Sequence, residues 1–106
     1  MNKRRNDTRY LCSQMVALHW ADEARVMRIE IGVLENISVS GARVQTEAEV
    51  SSGVPICMLA ANQEFRGTVC YCCRSDSYVM GIEFDADSQW SQWIFEPEHL
   101  VDPGDV

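Results

Sequence analysis

Positive charge is scarce in this sequence. Nine lysines and arginines face sixteen carboxylates, for a formal charge of −7 at neutral pH. General DNA or RNA binding rests on neutralising many phosphates at once, so so acidic a chain is not expected to bind nucleic acid. Long apolar runs are missing as well. Nothing approaches the roughly 18 consecutive apolar residues of a membrane span, so no membrane insertion is expected. Arg4 and Arg5 are followed by NDTRYLCSQ rather than by the apolar stretch that an export signal needs, and the expected location is the cytoplasm. The five cysteines are odd in number and form no regular framework, which fits a reducing compartment rather than a disulfide-stapled fold. A GxSxG elbow, an HExxH helix and a P-loop are all absent, and no carboxylate pair is marked out by an apolar setting. No enzymatic activity and no cofactor are expected.

What the 106 residues do contain is a period of two. A chain of this length is one domain, and folding buries roughly 60–70% of its unfolded surface, enough for a single core. Over residues 11–20, Cys12, Val16, Leu18 and Trp20 share one face, with Ser13 and His19 on the other. Asp22–Glu23 marks a turn. Residues 26–34 alternate Met27, Ile29, Ile31 and Val33 with Arg28, Glu30 and Gly32, the pattern of a half-buried strand whose apolar set faces the core. The stretch ENISVSGARV is a turn feeding a strand at 42–46. Pro55 opens a strand over 56–60, Ala61–Asn62 makes a hairpin turn, and Ser75–Asp76–Ser77 joins strands at 65–74 and 78–84. Six closely spaced strands with no helix between them favour a closed antiparallel barrel or a small sandwich.

The pattern changes after the last strand. In DADSQWSQWIF, Trp90, Trp93 and Ile94 recur at i, i+3 and i+4 behind the cap candidates Asp87 and Ser88. That spacing predicts a short amphipathic helix, limited by Pro97 and packed on the barrel. The expected organisation is a flexible basic arm over residues 1–10, a barrel with a C-terminal helix over 11–96, and an acidic tail over 97–106.

Charge is unevenly distributed across these parts. Lys3, Arg4, Arg5 and Arg9 against Asp7 leave the first ten residues at +3, while the remaining five arginines face fifteen carboxylates. Such asymmetry suggests an arm that meets an anion. Three net charges are few for duplex DNA but adequate for a compact ligand.

Two short patterns suggest which ligand. Arg5-Asn-Asp-Thr-Arg9 places two arginines four apart in the arm. Asn36-Ile-Ser38-Val-Ser-Gly41 follows at the end of the second strand. RxxxR followed some thirty residues later by (D/N)xSxxG resembles the PilZ domain, a family of bacterial receptors for the second messenger cyclic di-GMP. The six strands, the Gly-Ile-Glu-Phe stretch at 81–84 and the C-terminal helix fit the family layout over roughly residues 3–96. The resemblance implies an all-β fold, a six-stranded antiparallel barrel with a C-terminal helix, and a cyclic di-GMP site made by Arg4, Arg5, Arg9, Asn36, Ser38 and Gly41. In this family the side chain just before RxxxR influences whether one ligand or an intercalated pair binds. Arginine at position 4 implies two molecules per chain, with Arg4 on the second.

The residue chemistry suits that ligand. A guanidinium grips guanine O6 and N7, or a phosphate, in a bidentate fork, and it stacks on a purine face. Asn36 offers hydrogen bonds to a guanine edge or to the turn backbone, and Ser38 a small hydroxyl. Gly41 suits a positive φ or a close approach of backbone to ligand. Taken singly, each pattern also has a plain reading: a solvated arginine tail, and a turn made of the residues that turns use. A bare receptor without an output domain would signal through a protein partner. The alternative function is a ligand-independent protein–protein interaction module of the same family.

Cys70-Tyr-Cys72-Cys73 is the remaining candidate for chemistry, since clustered thiolates bind zinc or do redox work. Alternation along a strand turns Cys73 away from Cys70 and Cys72. His19 and His99 show no partner spacing. No metal ligands are assigned from the sequence.

Overall fold

Turn chemistry sets where the strands end. The Asp22 carboxylate accepts hydrogen bonds from the amides of Ala24 and Val26, both at 2.9 Å, and closes the first hairpin. Ala61 adopts a left-handed φ of 55° at the tip of another. The computed structural model describes residues 7–102. Between the turns run β1 (Tyr10–Ala21), β2 (Met27–Ile37), β3 (Gly41–Thr46), β4 (Pro55–Ala60), β5 (Gln63–Arg74) and β6 (Tyr78–Phe84). All pairings are antiparallel, and the strands close a barrel in the order β1-β2-β3-β6-β5-β4. Among the described residues no helix is long and apolar enough to cross a membrane.

The barrel interior is filled as period-two alternation requires. Val16, Leu18 and Trp20 of β1 point inward as expected, joined by Leu34, Ile37, Val44, Met58, Val69, Met80 and Ile82. Burying each large apolar side chain contributes roughly 1.5–3 kcal/mol.

β2 departs from its expected orientation. Met27, Ile29 and Ile31 lie on the outside, each more than half exposed, with Ile29 at 67%. The register explains the inversion. Val16, Leu18 and Trp20 sit opposite Gly32, Glu30 and Arg28, and residues directly opposite in a pair project to the same side. Once the larger inward set of β1 is committed, the apolar set of β2 is forced outward. Gly32 takes the inward position because the neighbouring strand leaves no room: a Cβ there would sit 2.7 Å from Val44 Cγ1. The outer end of β2 also extends beyond β3, whose pairing with β2 starts only at Gly32. Residues 27–31 therefore belong to a hairpin that reaches past the barrel wall.

The segment expected as a C-terminal helix makes a single turn, in which the amides of Ile94 and Phe95 bond to the Ser91 carbonyl at 3.0 and 3.3 Å. Its backbone is engaged elsewhere: the Trp90 amide donates to Val39 O at 3.0 Å, and the Trp90 indole donates to Phe95 O at 2.8 Å. So short a window barely supports an i→i−4 ladder on its own, and these tertiary bonds hold it as a single turn. Trp90 (3% exposed) and Phe95 close the end of the barrel, Trp90 edge-on to Tyr10 at 5.6 Å and Phe95 tilted on Phe65 at 6.2 Å. Trp93, expected to dock beside Trp90, is 96% exposed. Beyond Pro97 the chain turns back along β1. Leu11 and Val101 exchange backbone hydrogen bonds at 3.0 and 2.7 Å, and the Ser13 amide donates to Glu98 O at 3.0 Å.

Candidate ligand-binding site

The β2–β3 hairpin ends in a tight turn at the barrel end that Trp90 closes. The Ser38 amide donates to Gly41 O at 2.8 Å, and the Ser38 hydroxyl lies 3.4 Å from the same oxygen. Ser40 O accepts from the Phe84 amide at 2.8 Å. The turn is thus held on one side by the strands and on the other by the segment after β6.

A bulge aims the next residue. The β2–β3 register slips between Leu34 and Asn36, so Leu34 and Ile37 both stay buried while Asn36 is half-buried, with its amide toward solvent. An extra residue in one strand resets the alternation in this way. Arg9, just before β1, donates from Nη1 to Asn36 Oδ1 at 2.8 Å. Asp7 reaches the turn tip, where its Oδ1 accepts from the Ser40 hydroxyl at 2.7 Å and from the Ser40 amide at 3.3 Å. Partial burial pushes the Asp7 carboxyl up. Hydrogen bonds from Ser40 and Ser38, with the Arg9 charge, outweigh that and leave its pKa below the ordinary aspartate value.

The six residues expected at a ligand site are distributed unevenly. Arg9 and Asn36 are in contact at the surface. Ser38 is completely buried inside the turn, with its hydroxyl between the Gly41 carbonyl and the Asp7 carboxylate. Gly41 does not need a positive φ, which among the described glycines only Gly53 adopts. A Cβ at Gly41 would lie 2.5 Å from Ile82 O on β6, so its requirement is close strand packing. Arg4 and Arg5 lie outside the described residues.

Three further residues join this end of the barrel. Asp7 enters the sequence reading only as a charge, yet it ties the arm to the turn. Its position between the two arginines was the available signal. Arg43 lies directly across from Asn36 in the β2–β3 pair and is held by Glu35 at 3.3 Å; its place two residues after Gly41, on the outward face of a strand, was legible. Trp93 contributes an exposed indole to a cleft of about 310 Å³ lined by Thr8, Tyr10, Val39, Trp90, Ser91, Gln92 and Trp93. That cleft joins the arm and the turn through Thr8 and Val39.

Electrostatics separates this cleft from a larger one, about 410 Å³, at the far end of β1. The larger cleft is lined by Asp22, Glu23 and Glu49, carboxylates that repel an anion. The smaller one has no charged lining residue, and Thr8 and Tyr10 in its lining flank Arg9 in the sequence. A base can stack on an exposed indole, and guanidinium groups can fork a phosphate or a purine edge, so this end is chemically equipped for a nucleotide. Neither a protein-family model nor a curated protein matches the chain.

Proposed function

We propose that the chain is a PilZ-type receptor for cyclic di-GMP that folds its N-terminal arm over the ligand and passes the signal to a partner protein. The observation that carries this reading is the meeting of its two motifs. Arg9, the last residue of RxxxR, donates to Asn36, the first residue of the NxSxxG turn, at 2.8 Å. The ligand would enter by taking over that bond, with Arg5 and Arg9 on bases and phosphates and Arg4 on a second ligand molecule. Ser38 and Gly41 support the reading as residues that shape the turn. The C-terminal helix that the family layout implies is not formed among the described residues, where the segment makes a single turn.

Calorimetric titration with cyclic di-GMP, beside GTP and cyclic GMP, tests the proposal. The expected result is selective, magnesium-independent binding of two molecules per chain, falling to one in Arg4→Leu. No heat with cyclic di-GMP, or equal binding of GTP, would overturn the receptor reading. A ratio of one that Arg4→Leu leaves unchanged would overturn the paired ligand alone.

One observation favours a second reading, the ligand-independent interaction module. Met15, Met27, Ile29 and Ile31 are each more than half exposed, and β1 and β2 carry them side by side with Met15 opposite Val33 and Ala17 opposite Ile31. Contiguous exposed apolar surface of this kind marks partner contacts. The two readings are compatible, because a receptor that passes its signal to a partner protein needs a surface for that partner.

A further inference from the structure

The outer wall of the barrel gathers three metal-ligating side chains that are scattered along the sequence. His19 on β1 lies directly opposite Cys57 on β4. Glu64 on β5 is one diagonal step away, since Cys57 pairs with Arg66 and Leu59 with Glu64. An imidazole nitrogen, the Cys57 sulfur and a Glu64 carboxylate oxygen all lie within 4.8 Å of one another. Among the described residues this is the group of histidine, cysteine and acidic side chains placed to share an ion.

We propose that His19, Cys57 and Glu64 form a binding site for a zinc-class divalent cation. The donor set selects the class. One thiolate, one imidazole and one carboxylate suit zinc, cobalt or copper, whereas magnesium and calcium require oxygen shells. Bond lengths of about 2.0–2.3 Å place tetrahedral donors nearer together than the widest of these separations, so side-chain rotation has to draw them in. The strand pairing supplies the rest, because neighbouring strands hold the three Cα positions. Cys57 is buried, His19 half-buried and Glu64 exposed, which leaves a fourth position open to water, as in zinc sites with three protein ligands.

Metal binding at this site would exchange the Cys57 proton for the ion. The Cys57 sulfur now lies 2.8 Å from Glu64 Oε2, with the thiol as donor. Burial, and then Glu64 as hydrogen-bond partner and neighbouring charge, push that thiol up to about 12. When the ion binds, the S–H bond breaks, the proton leaves to solvent, and sulfur and carboxylate donate to the metal instead of sharing a proton. The dication with one thiolate and one carboxylate is neutral overall, which suits a site bordered by the exposed apolar side chains Ile29, opposite His19, and Leu59. The one nearby cation among the described partners of Cys57 is Arg66, whose guanidinium is directed to Asp87 at 3.4 Å.

Cobalt(II) titration of the full chain, followed by visible d–d bands and the thiolate-to-cobalt charge-transfer band, tests the site. One ion per chain is expected with the intensity of a tetrahedral thiolate site. Replacing Cys70, Cys72 and Cys73 together by serine should leave that spectrum intact. His19→Gln and Glu64→Gln should each weaken binding at least about tenfold, as even outer-shell changes do at metal sites, and Cys57→Ser should remove the charge-transfer band. His19 and Glu64 face outward, so their variants keep the fold, which an unchanged circular dichroism spectrum would verify. A spectrum that survives both His19→Gln and Cys57→Ser, one that disappears in the triple serine variant, or no thiolate band at all would overturn the proposal.

Discussion

Two regions of this barrel use the same alternating strands in opposite ways. At the end closed by Trp90, the arm, the β2–β3 turn and the segment after β6 are joined by directed polar contacts: Arg9 to Asn36, Asp7 to Ser40, and the Trp90 amide to Val39. On the outer wall, β1 and β2 present Met15, Met27, Ile29 and Ile31 to solvent, apolar side chains that make no such directed bonds among the described residues. The first region is specified by hydrogen-bond geometry, and the second is left over once the core has taken its side of each strand. A ligand that must be recognised atom by atom suits the first. A partner protein, or an ion held by strand pairing, suits the second.

The largest effect that separates the regions should come from the plug. Trp90→Ala removes a buried indole along with its hydrogen bond to Phe95 O, and should destabilise the fold by about 3–5 kcal/mol. Trp93→Ala, three residues on, should stay within about 0.5 kcal/mol of the parent in chemical denaturation. It should nevertheless lower cyclic di-GMP affinity, since a base stacked on an indole is worth ~1–3 kcal/mol. Equal destabilisation by the two variants would mean that Trp93 also packs in the core.

Next in size are the arginines. Arg5→Ala and Arg9→Ala should each weaken cyclic di-GMP binding by more than about tenfold, because a charged hydrogen bond contributes roughly 1.5–3 kcal/mol. Without ligand, their melting temperatures should match the parent. Variants that titrate like the parent would make the arm a solvated tail and favour the interaction module.

On the outer wall the expected stability effects are small. Ile29→Thr and Ile31→Thr should change the denaturation midpoint by no more than about 0.5 kcal/mol, whereas Leu34→Ala, inside the same strand, should cost about 2–5 kcal/mol. If the wall docks a partner, the threonine variants will lose that partner while remaining folded.

The smallest effect is a pH dependence at the turn. The Asp7 carboxyl titrates lower when docked on Ser40 than when free. Its contribution is therefore present above the ordinary aspartate value, about 3.9, and is lost as pH falls through the lower docked value. The Ser40 amide resonance should follow this titration, and Asp7→Asn should abolish it. An Asp7 that titrates at its ordinary value would mean that the arm is not docked.

Much of this architecture was written in local chemistry. Strand positions, the hairpin turns at Asp22, Ala61 and Ser75, and the inward set of β1 follow from short-range alternation and turn residues, which do not depend on distant parts of the chain. The proximity of arm and turn was legible only as far as two motifs suggested it; Asp7 carries no local signal that would pair it with Ser40, thirty-three residues away. Three things were decided by tertiary structure alone. Which face of β2 is buried depends on its register with β1, and a period of two has no way to state its own parity. Whether residues 90–95 form a helix depends on how Trp90 packs, with its amide on Val39 O and its indole on Phe95 O, contacts that no local spacing specifies. His19, Cys57 and Glu64 become neighbours only because the barrel closes β1 onto β4 and β4 pairs with β5, and closure is a property of the whole sheet rather than of any strand.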